Sequence, residues 1–207
     1  MRILSKTLLT AALLASMPML AHAESQSTTG TTTPITASAK LDFQVRVPKV
    51  LFLQVGAGTK FTTGGAISLI DFDVPAATLG NGSSIAATPA SGDLNNGTVT
   101  ARVIGNNGDI TFTSTTLGPM GNGSGDTISY NEITASVAVL NSAVALPHPT
   151  LADGATTTVS LTPATGSKVI DRDARWTFSY DNTNVVAPGT YGTVANNGRV
   201  TYTASML

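Results

Sequence analysis

The sequence contains no cysteine. This absence excludes thiol chemistry, iron–sulfur clusters and zinc sites with cysteine ligands. It also excludes disulfide bonds, on which small exported domains often depend. A domain built by this chain must therefore be held together by apolar burial and by hydrogen bonds between strands.

Charged side chains are scarce as well. They make up 11% of the chain, against about a quarter in an average soluble protein. The 11 basic residues do not outnumber the 12 acidic ones, whereas nucleic-acid-binding proteins need a dense basic face to displace counterions from phosphates. The composition therefore argues against nucleic acid as a partner.

Long apolar runs are absent except at the start of the chain. A basic beginning (Arg2 and Lys6), an apolar stretch (residues 8–20) and the small-x-small triplet that follows are typical of a secretory signal. The apolar stretch is shorter than the roughly 20 residues that a membrane span needs. We therefore predict that residues 1–23 are a signal peptide cleaved before Glu24. The remaining 207 − 23 = 184 residues are expected to contain no transmembrane segment.

Histidine is rare too, which limits the enzymatic options. Beyond the predicted signal the chain has one, His148, between Pro147 and Pro149. A serine–histidine–acid triad would have to use it, and the two prolines predict an extended, exposed loop that aligns a base poorly. We therefore predict that the protein is not an enzyme, and the sequence assigns no catalytic residue and no cofactor.

Two groups of carboxylates come closest to a chemical site. Asp71 and Asp73 alternate with apolar residues and are expected on the solvent face of one strand, where we interpret them as surface acids rather than a hydrolase pair or calcium ligands. Asp171 and Asp173, with Asp181 further on, match a calcium ligand set in residue type alone, without the spacing or glycine of the helix–loop–helix calcium site. Whether these three bind calcium stays open, and no metal ligand is assigned.

The most regular pattern in the sequence follows the predicted cleavage site. Residues 24–34 form a stretch rich in Thr and Ser, typical of a flexible tail. Residues 35–47 then alternate strictly between apolar and polar side chains, as in a strand with one apolar face. We call residues 35–47 the ribbon, and its apolar positions are Ile35, Ala37, Ala39, Leu41, Phe43, Val45 and Val47.

The rest of the chain predicts many short strands separated by turns rich in Gly and Asn. Apolar runs or alternation indicate strands at residues 50–55, 68–74, 98–104, 109–113, 128–130, 133–139, 156–161, 175–180 and 199–204. Two pairs of segments flank Asn-Asn-Gly turns and are expected to be hairpins: residues 98–104 with 109–113, and residues 190–194 with 199–204.

The fold class follows from these strands. Trp176, Phe178 and Tyr180 lie on one face of their strand, and we predict that they form the centre of the core. No segment beyond the signal has a helical repeat. We therefore predict an all-β protein, an antiparallel immunoglobulin-like β-sandwich formed as a single domain by residues 35–207.

Together these features resemble a fimbrial or pilus subunit of the chaperone–usher type. The resemblance rests on the export signal, the lack of enzymatic groups, the sandwich pattern and the Thr-rich tail that runs into the ribbon. It implies an incomplete immunoglobulin-like sandwich whose groove is completed by the N-terminal extension of another subunit. It also implies a periplasmic chaperone and an outer-membrane usher as partners, and a final location at the cell surface. In such a protein the apolar residues of the ribbon would fill the groove of a neighbouring copy.

Two other functions stay open at this stage. The chain is alternatively a self-contained secreted binding module for carbohydrate or protein, with the ribbon paired inside its own sheets. Aromatic residues are 5% of the chain, and their expected use is the core rather than stacking on sugar rings. The other alternative is a hydrolase that uses Asp71 with Asp73, or His148.

Overall fold

The chain divides into two units, Met1–Val47 and Pro48–Leu207. The structure is a computed structural model, and it describes residues 24–207. The predicted signal peptide, residues 1–23, lies outside the described residues.

The described part of the first unit, residues 24–47, contains no strand. All of its side chains are exposed, and that of Phe43 is 86% exposed. The Thr28 hydroxyl donates a hydrogen bond to the carbonyl of Thr36. The strand that alternation predicts over residues 35–47 is therefore absent from the single chain. The physical reason is that a strand is defined by its hydrogen-bonded partner, which an alternating sequence does not supply.

The regular structure of the second unit consists of β-strands, apart from two single-turn 3₁₀ helices at Tyr130–Glu132 and Val194–Asn196. Its ten strands are β1 (Leu51–Val55), β2 (Ile85–Ala86), β3 (Thr98–Gly105), β4 (Ile110–Thr115), β5 (Met120–Gly121), β6 (Thr127–Ile128), β7 (Ile133–Ala138), β8 (Thr156–Leu161), β9 (Ile170–Tyr180) and β10 (Thr201–Met206).

These strands form two main antiparallel sheets. In the first, β1, β3, β9 and β7 pair in that order, and the short β2 pairs with the end of β9. In the second, β4 lies between β10 and β8. Strands β5 and β6 form a separate two-stranded sheet. The prediction of an all-β antiparallel sandwich is confirmed.

The core lies between the two sheets. Trp176 of β9 is fully buried, and its ring stacks on that of Phe112 of β4 with 6.0 Å between the centroids. The indole N–H donates a hydrogen bond of 2.9 Å to the carbonyl of Leu146. Phe178 and Tyr180 are buried on the same strand, so the prediction of the core centre is confirmed.

Both predicted hairpins are wrong. Strand β3 pairs with β1 and β9, whereas β4 pairs with β10 and β8, so the turn between β3 and β4 crosses from one sheet to the other. Residues 190–194 are not a strand, and β10 pairs with β4 instead. Asn and Gly give the chain the freedom to reverse direction, but burial on both sides decides which strands then pair. In β3 the side chains of both faces are largely buried.

Residues 68–74 keep the predicted alternation without forming a strand. Ile70 and Phe72 pack against the core, whereas Asp71 and Asp73 are exposed. The backbone of this segment bonds to an irregular loop, where the amide of Asp71 donates 2.9 Å to the Ser91 hydroxyl. The apolar pattern therefore indicates correctly which side chains face the core. The backbone of this segment bonds to a loop and not to a neighbouring strand.

Candidate functional site

Two edge strands lie next to each other where the sheets meet. β10 has a pairing partner on one side, β4, and β1 has one on one side, β3. Within residues 24–207 no strand pairs with the other side of either strand. β1 and β10 approach each other across the sandwich without being paired. We call the boundary between β1 and β10 the seam.

The strand order shows which strand would be expected at the seam. An immunoglobulin-like sandwich has one sheet of order A-B-E-D and a second sheet of strands C, F and G. The order β1-β3-β9-β7 corresponds to the first sheet. In the second sheet β4 and β10 correspond to C and F, and β8 is an additional strand on the other side of β4. Strand G would lie on the free side of β10, where the described residues place no strand.

The seam is lined by apolar side chains that are incompletely covered. Five of them pack against the core but are only half-buried: Leu53, Val55, Tyr202, Ala204 and Met206. By contrast, Val103 of β3 and Phe112 of β4, which lie on inner strands, are fully buried. The apolar surface along the seam is therefore what one further strand would cover.

Two turn asparagines hold one end of the seam. Asn106 accepts a hydrogen bond of 2.8 Å from the backbone of Val50 and donates one of 2.8 Å to the carbonyl of Pro48. The side-chain amide of Asn107 donates to the carbonyl of Leu207. The same turn thus fixes the start of β1 and the end of β10. From the sequence these residues are recognisable only as turn formers, because their distant partners are determined by the fold.

An apolar crevice of about 450 Å³ lies against β1. Its lining consists of Val50, Leu51, Phe52, Phe61, Thr62 and Thr63. The rings of Phe52 and Phe61 are 5.4 Å apart and tilted to each other. This lining is mostly apolar, so the crevice suits contact with an apolar side chain.

The ribbon residues are exposed throughout. All seven apolar positions named from the sequence, Ile35, Ala37, Ala39, Leu41, Phe43, Val45 and Val47, are exposed. The exposed fraction is 85% for the side chain of Val45 and 64% for that of Leu41. Exposing this many apolar side chains to water is unfavourable. A pairing partner would cover this apolar surface.

His148 is half-buried against the core and does not lie on an exposed loop. Its ring is edge-on to those of Trp176 and Phe178, with centroid distances of 4.7 and 5.2 Å. Its Nε2 lies 2.7 Å from the phenol oxygen of Tyr202. Burial lowers the pKa of His148 to about 4, so the imidazole is neutral at neutral pH. The prediction of an exposed loop is wrong, because the flanking prolines extend the chain without determining which way it faces.

Asp173 is a structural carboxylate. It is buried, and one of its oxygens accepts 2.8 Å hydrogen bonds from the backbones of Asn141 and Ser142. Arg102 lies 3.6 Å from the other oxygen. Burial by itself raises the pKa of Asp173, but the hydrogen bonds from Asn141 and Ser142 outweigh it and bring that pKa to about 2. The carboxylate therefore anchors the loop after β7 to β9.

The other acids considered as ligands have separate partners. Asp171 pairs with Lys60 at 3.4 Å, and Asp181 accepts a hydrogen bond of 3.2 Å from the hydroxyl of Thr134. The part of the chain that the structure describes holds no group of three or more His, Cys, Asp or Glu side chains arranged to bind a metal ion. Asp71 and Asp73 lie on the surface, as predicted.

Comparisons with known proteins add no relative. Neither the protein-family models, nor the curated proteins, nor the solved structures include a match to this chain. Among the described residues there is also no helix with the length and apolar character needed to span a bilayer.

Proposed function

We propose that this protein is an exported, non-enzymatic structural subunit that assembles by strand exchange, in which the ribbon of one copy pairs along the seam of another. The observation that carries this proposal is the combination of a free edge on β10 with an unpaired, exposed alternating segment in the same chain. The edge of β10 lacks a pairing strand, and the ribbon lacks a sheet edge to pair with. The proposal takes up the resemblance to chaperone–usher subunits.

The backbone chemistry of the two segments is complementary. A strand added to an open sheet edge gains affinity from main-chain hydrogen bonds and register from alternate side chains. β10 has six residues, and the thirteen residues of the ribbon are long enough to pair along its whole length. The apolar face of the ribbon would cover the half-buried side chains of the seam, and the polar face would remain in water.

Apolar burial supplies the driving force. Leu41, Phe43 and Val45 are each at least 64% exposed. Fully burying one such side chain contributes roughly 1.5–3 kcal/mol, which is partly offset by the entropy lost when the ribbon is ordered. Burial of three such side chains on one face favours pairing together with the main-chain hydrogen bonds, without any charged contact.

A free edge beside apolar surface also requires protection before assembly. Such an edge pairs readily with unrelated chains, and proteins usually cover or blunt it. A carrier protein that occupies the seam until the next subunit arrives fits this need. We therefore include a periplasmic chaperone and an outer-membrane usher as partners, with transit through the periplasm to the cell surface.

A carbohydrate-binding module has less support. Trp176, Tyr130 and Tyr180 are buried, and the remaining tyrosines, Tyr191 and Tyr202, are half-buried. None of these side chains is exposed, as a platform for stacking on a sugar would require.

The test compares the chain that starts at Glu24 with one that starts at Pro48. In size-exclusion chromatography with light scattering, the longer chain is expected to form concentration-dependent oligomers, and the shorter one to stay a folded monomer. Replacing Leu41, Phe43 and Val45 together by Asn should abolish the oligomers.

The matched control replaces the intervening polar residues, Asp42, Gln44 and Arg46, by Asn. Because these side chains belong to the polar face, this control should assemble like the parent chain. Oligomers formed by the chain that starts at Pro48, or equal loss of assembly in both triple variants, would contradict the proposal.

A further inference from the structure

We propose that His148 and Tyr202 form an acid-sensitive latch that holds β10 in place, so that protonation of one imidazole loosens the strand with the free edge. The biological role of the latch rests on the proposed function, in which β10 is the strand that accepts the ribbon. Its physical basis is the packing of His148 itself.

The latch joins three parts of the sandwich. His148 lies in the segment between β7 and β8, Trp176 and Phe178 belong to β9, and Tyr202 belongs to β10. The imidazole contacts all three aromatic rings edge-on or at a steep angle, and the ring of Tyr202 lies 5.6 Å away. A hydrogen bond of 2.7 Å joins Nε2 of His148 to the phenol oxygen of Tyr202.

Tyr202 is the aromatic residue among the three side chains of β10 that pack against the core. Its ring stacks on that of Phe112 at 6.1 Å and lies 5.5 Å from that of Trp176. β10 pairs with β4 on one side only, so it has half the ladder hydrogen bonds of an inner strand. The contacts of Tyr202 therefore matter more for β10 than those of a comparable residue in an inner strand.

In the described part of the chain, the groups that contact the imidazole carry no negative charge that would compensate a positive one. From β10 it meets the phenol of Tyr202, whose pKa burial raises, and from β9 it meets two rings without titratable groups. The ion pairs found in the described residues, Lys60 with Asp171 and Arg102 with Asp173, do not involve it. A proton added to His148 is thus a charge taken into an aromatic cluster without a carboxylate partner.

The direction of the effect follows from linkage. Burial lowers the pKa of His148 to about 4, and an unfolded histidine has a pKa of about 6.5. The stabilisation is therefore complete above about pH 6.5 and is lost as the pH falls toward 4. At pH 5 the equilibrium constant for opening the latch should be about 30-fold larger than at pH 7.5.

For the assembled protein the latch makes strand exchange depend on pH. An acceptor edge is useful only while β10 is held against β4, with its seam side chains in register. Acidification to about pH 5 should therefore weaken the hold of one subunit on the ribbon of another.

The test uses the chain that starts at Glu24, which contains a single histidine, at a concentration at which it is monomeric. An NMR titration should give the His148 imidazole a pKa near 4. Hydrogen exchange of β10, corrected for the intrinsic rate, should show opening about 30-fold more frequent at pH 5 than at pH 7.5. His148→Gln keeps a neutral polar side chain and should remove this pH dependence.

A control variant, Asp71→Asn, changes an exposed acid away from the latch and should keep the wild-type pH dependence. An imidazole pKa near 6.5, or exchange of β10 that does not change between these pH values, would overturn the latch. Assembly is scored separately by light scattering at pH 7.5. If the chain never assembles but β10 still loosens in acid, the proposed function fails and the latch stands. If the chain assembles but β10 does not loosen in acid, the proposed function stands and the latch fails.

Discussion

The backbone amide of Val50 donates a 2.8 Å hydrogen bond to Oδ1 of Asn106, a residue 56 positions further along the chain. This bond closes the start of β1 onto the turn between β3 and β4. The neighbouring Asn107 holds the carbonyl of Leu207, just beyond β10. One turn therefore sets the spacing of both seam strands at this end.

Replacing Asn106 by Ala should loosen the start of β1. The substitution removes two side-chain hydrogen bonds, to Val50 and Pro48, each contributing about 0.5–1.5 kcal/mol. We expect the free energy of unfolding, measured by urea denaturation, to fall by about 1–2 kcal/mol. Faster amide exchange should be confined to residues near Val50. Asn131→Ala, at an exposed position, serves as the control, and an equal loss of stability in the control would contradict the anchoring role.

Phe112→Ala tests the position of the core centre. Phe112 is fully buried against Trp176, and removing a buried aromatic ring typically costs about 3–5 kcal/mol. Because the chain contains one tryptophan, its fluorescence reports on this contact directly. We expect a red-shifted emission and a lower midpoint of thermal unfolding. Leu117→Ala, at a position 80% exposed, should leave both unchanged, and a neutral Phe112→Ala would place the core elsewhere.

Asp173→Asn should destabilise the protein at neutral pH and much less in acid. The pKa of Asp173 falls from 3.8 to about 2 on folding, so its contribution is complete above about pH 4 and is lost as the pH falls toward 2. This difference corresponds to about 2 kcal/mol. Urea unfolding at pH 7 should show a loss of about this size, and the gap to the parent chain should close near pH 2. Asp71→Asn, on the surface, should show no such convergence; a gap that stays constant with pH would refute the account of Asp173.

The strands and the core were predictable because their signals are local. Apolar alternation located β8 at residues 156–161 and put Trp176, Phe178 and Tyr180 on one buried face. The same alternation correctly placed Asp71 on the surface, although its segment forms no strand.

Pairing and long-range contacts were not predictable. An Asn-Gly turn shows where the chain reverses, but β3 and β4 belong to different sheets because both edges of each are occupied by other strands. The burial of His148 depends on Tyr202, 54 positions away, and nothing in the Pro-His-Pro sequence indicates this partner. The seam exists because no strand pairs with the free side of β10 among the described residues, and no residue pattern in the sequence indicates that a strand lacks a partner.

The central claim is that the free side of β10 accepts the ribbon, and hydrogen exchange of the chain that starts at Pro48 tests it most directly. A synthetic peptide of residues 35–47 is added, and exchange is followed by mass spectrometry. The account predicts one peptide bound per chain, with new protection concentrated in β10. A peptide with Asn at Leu41, Phe43 and Val45 should give none. Absence of binding, or protection that leaves β10 unchanged, would contradict the account.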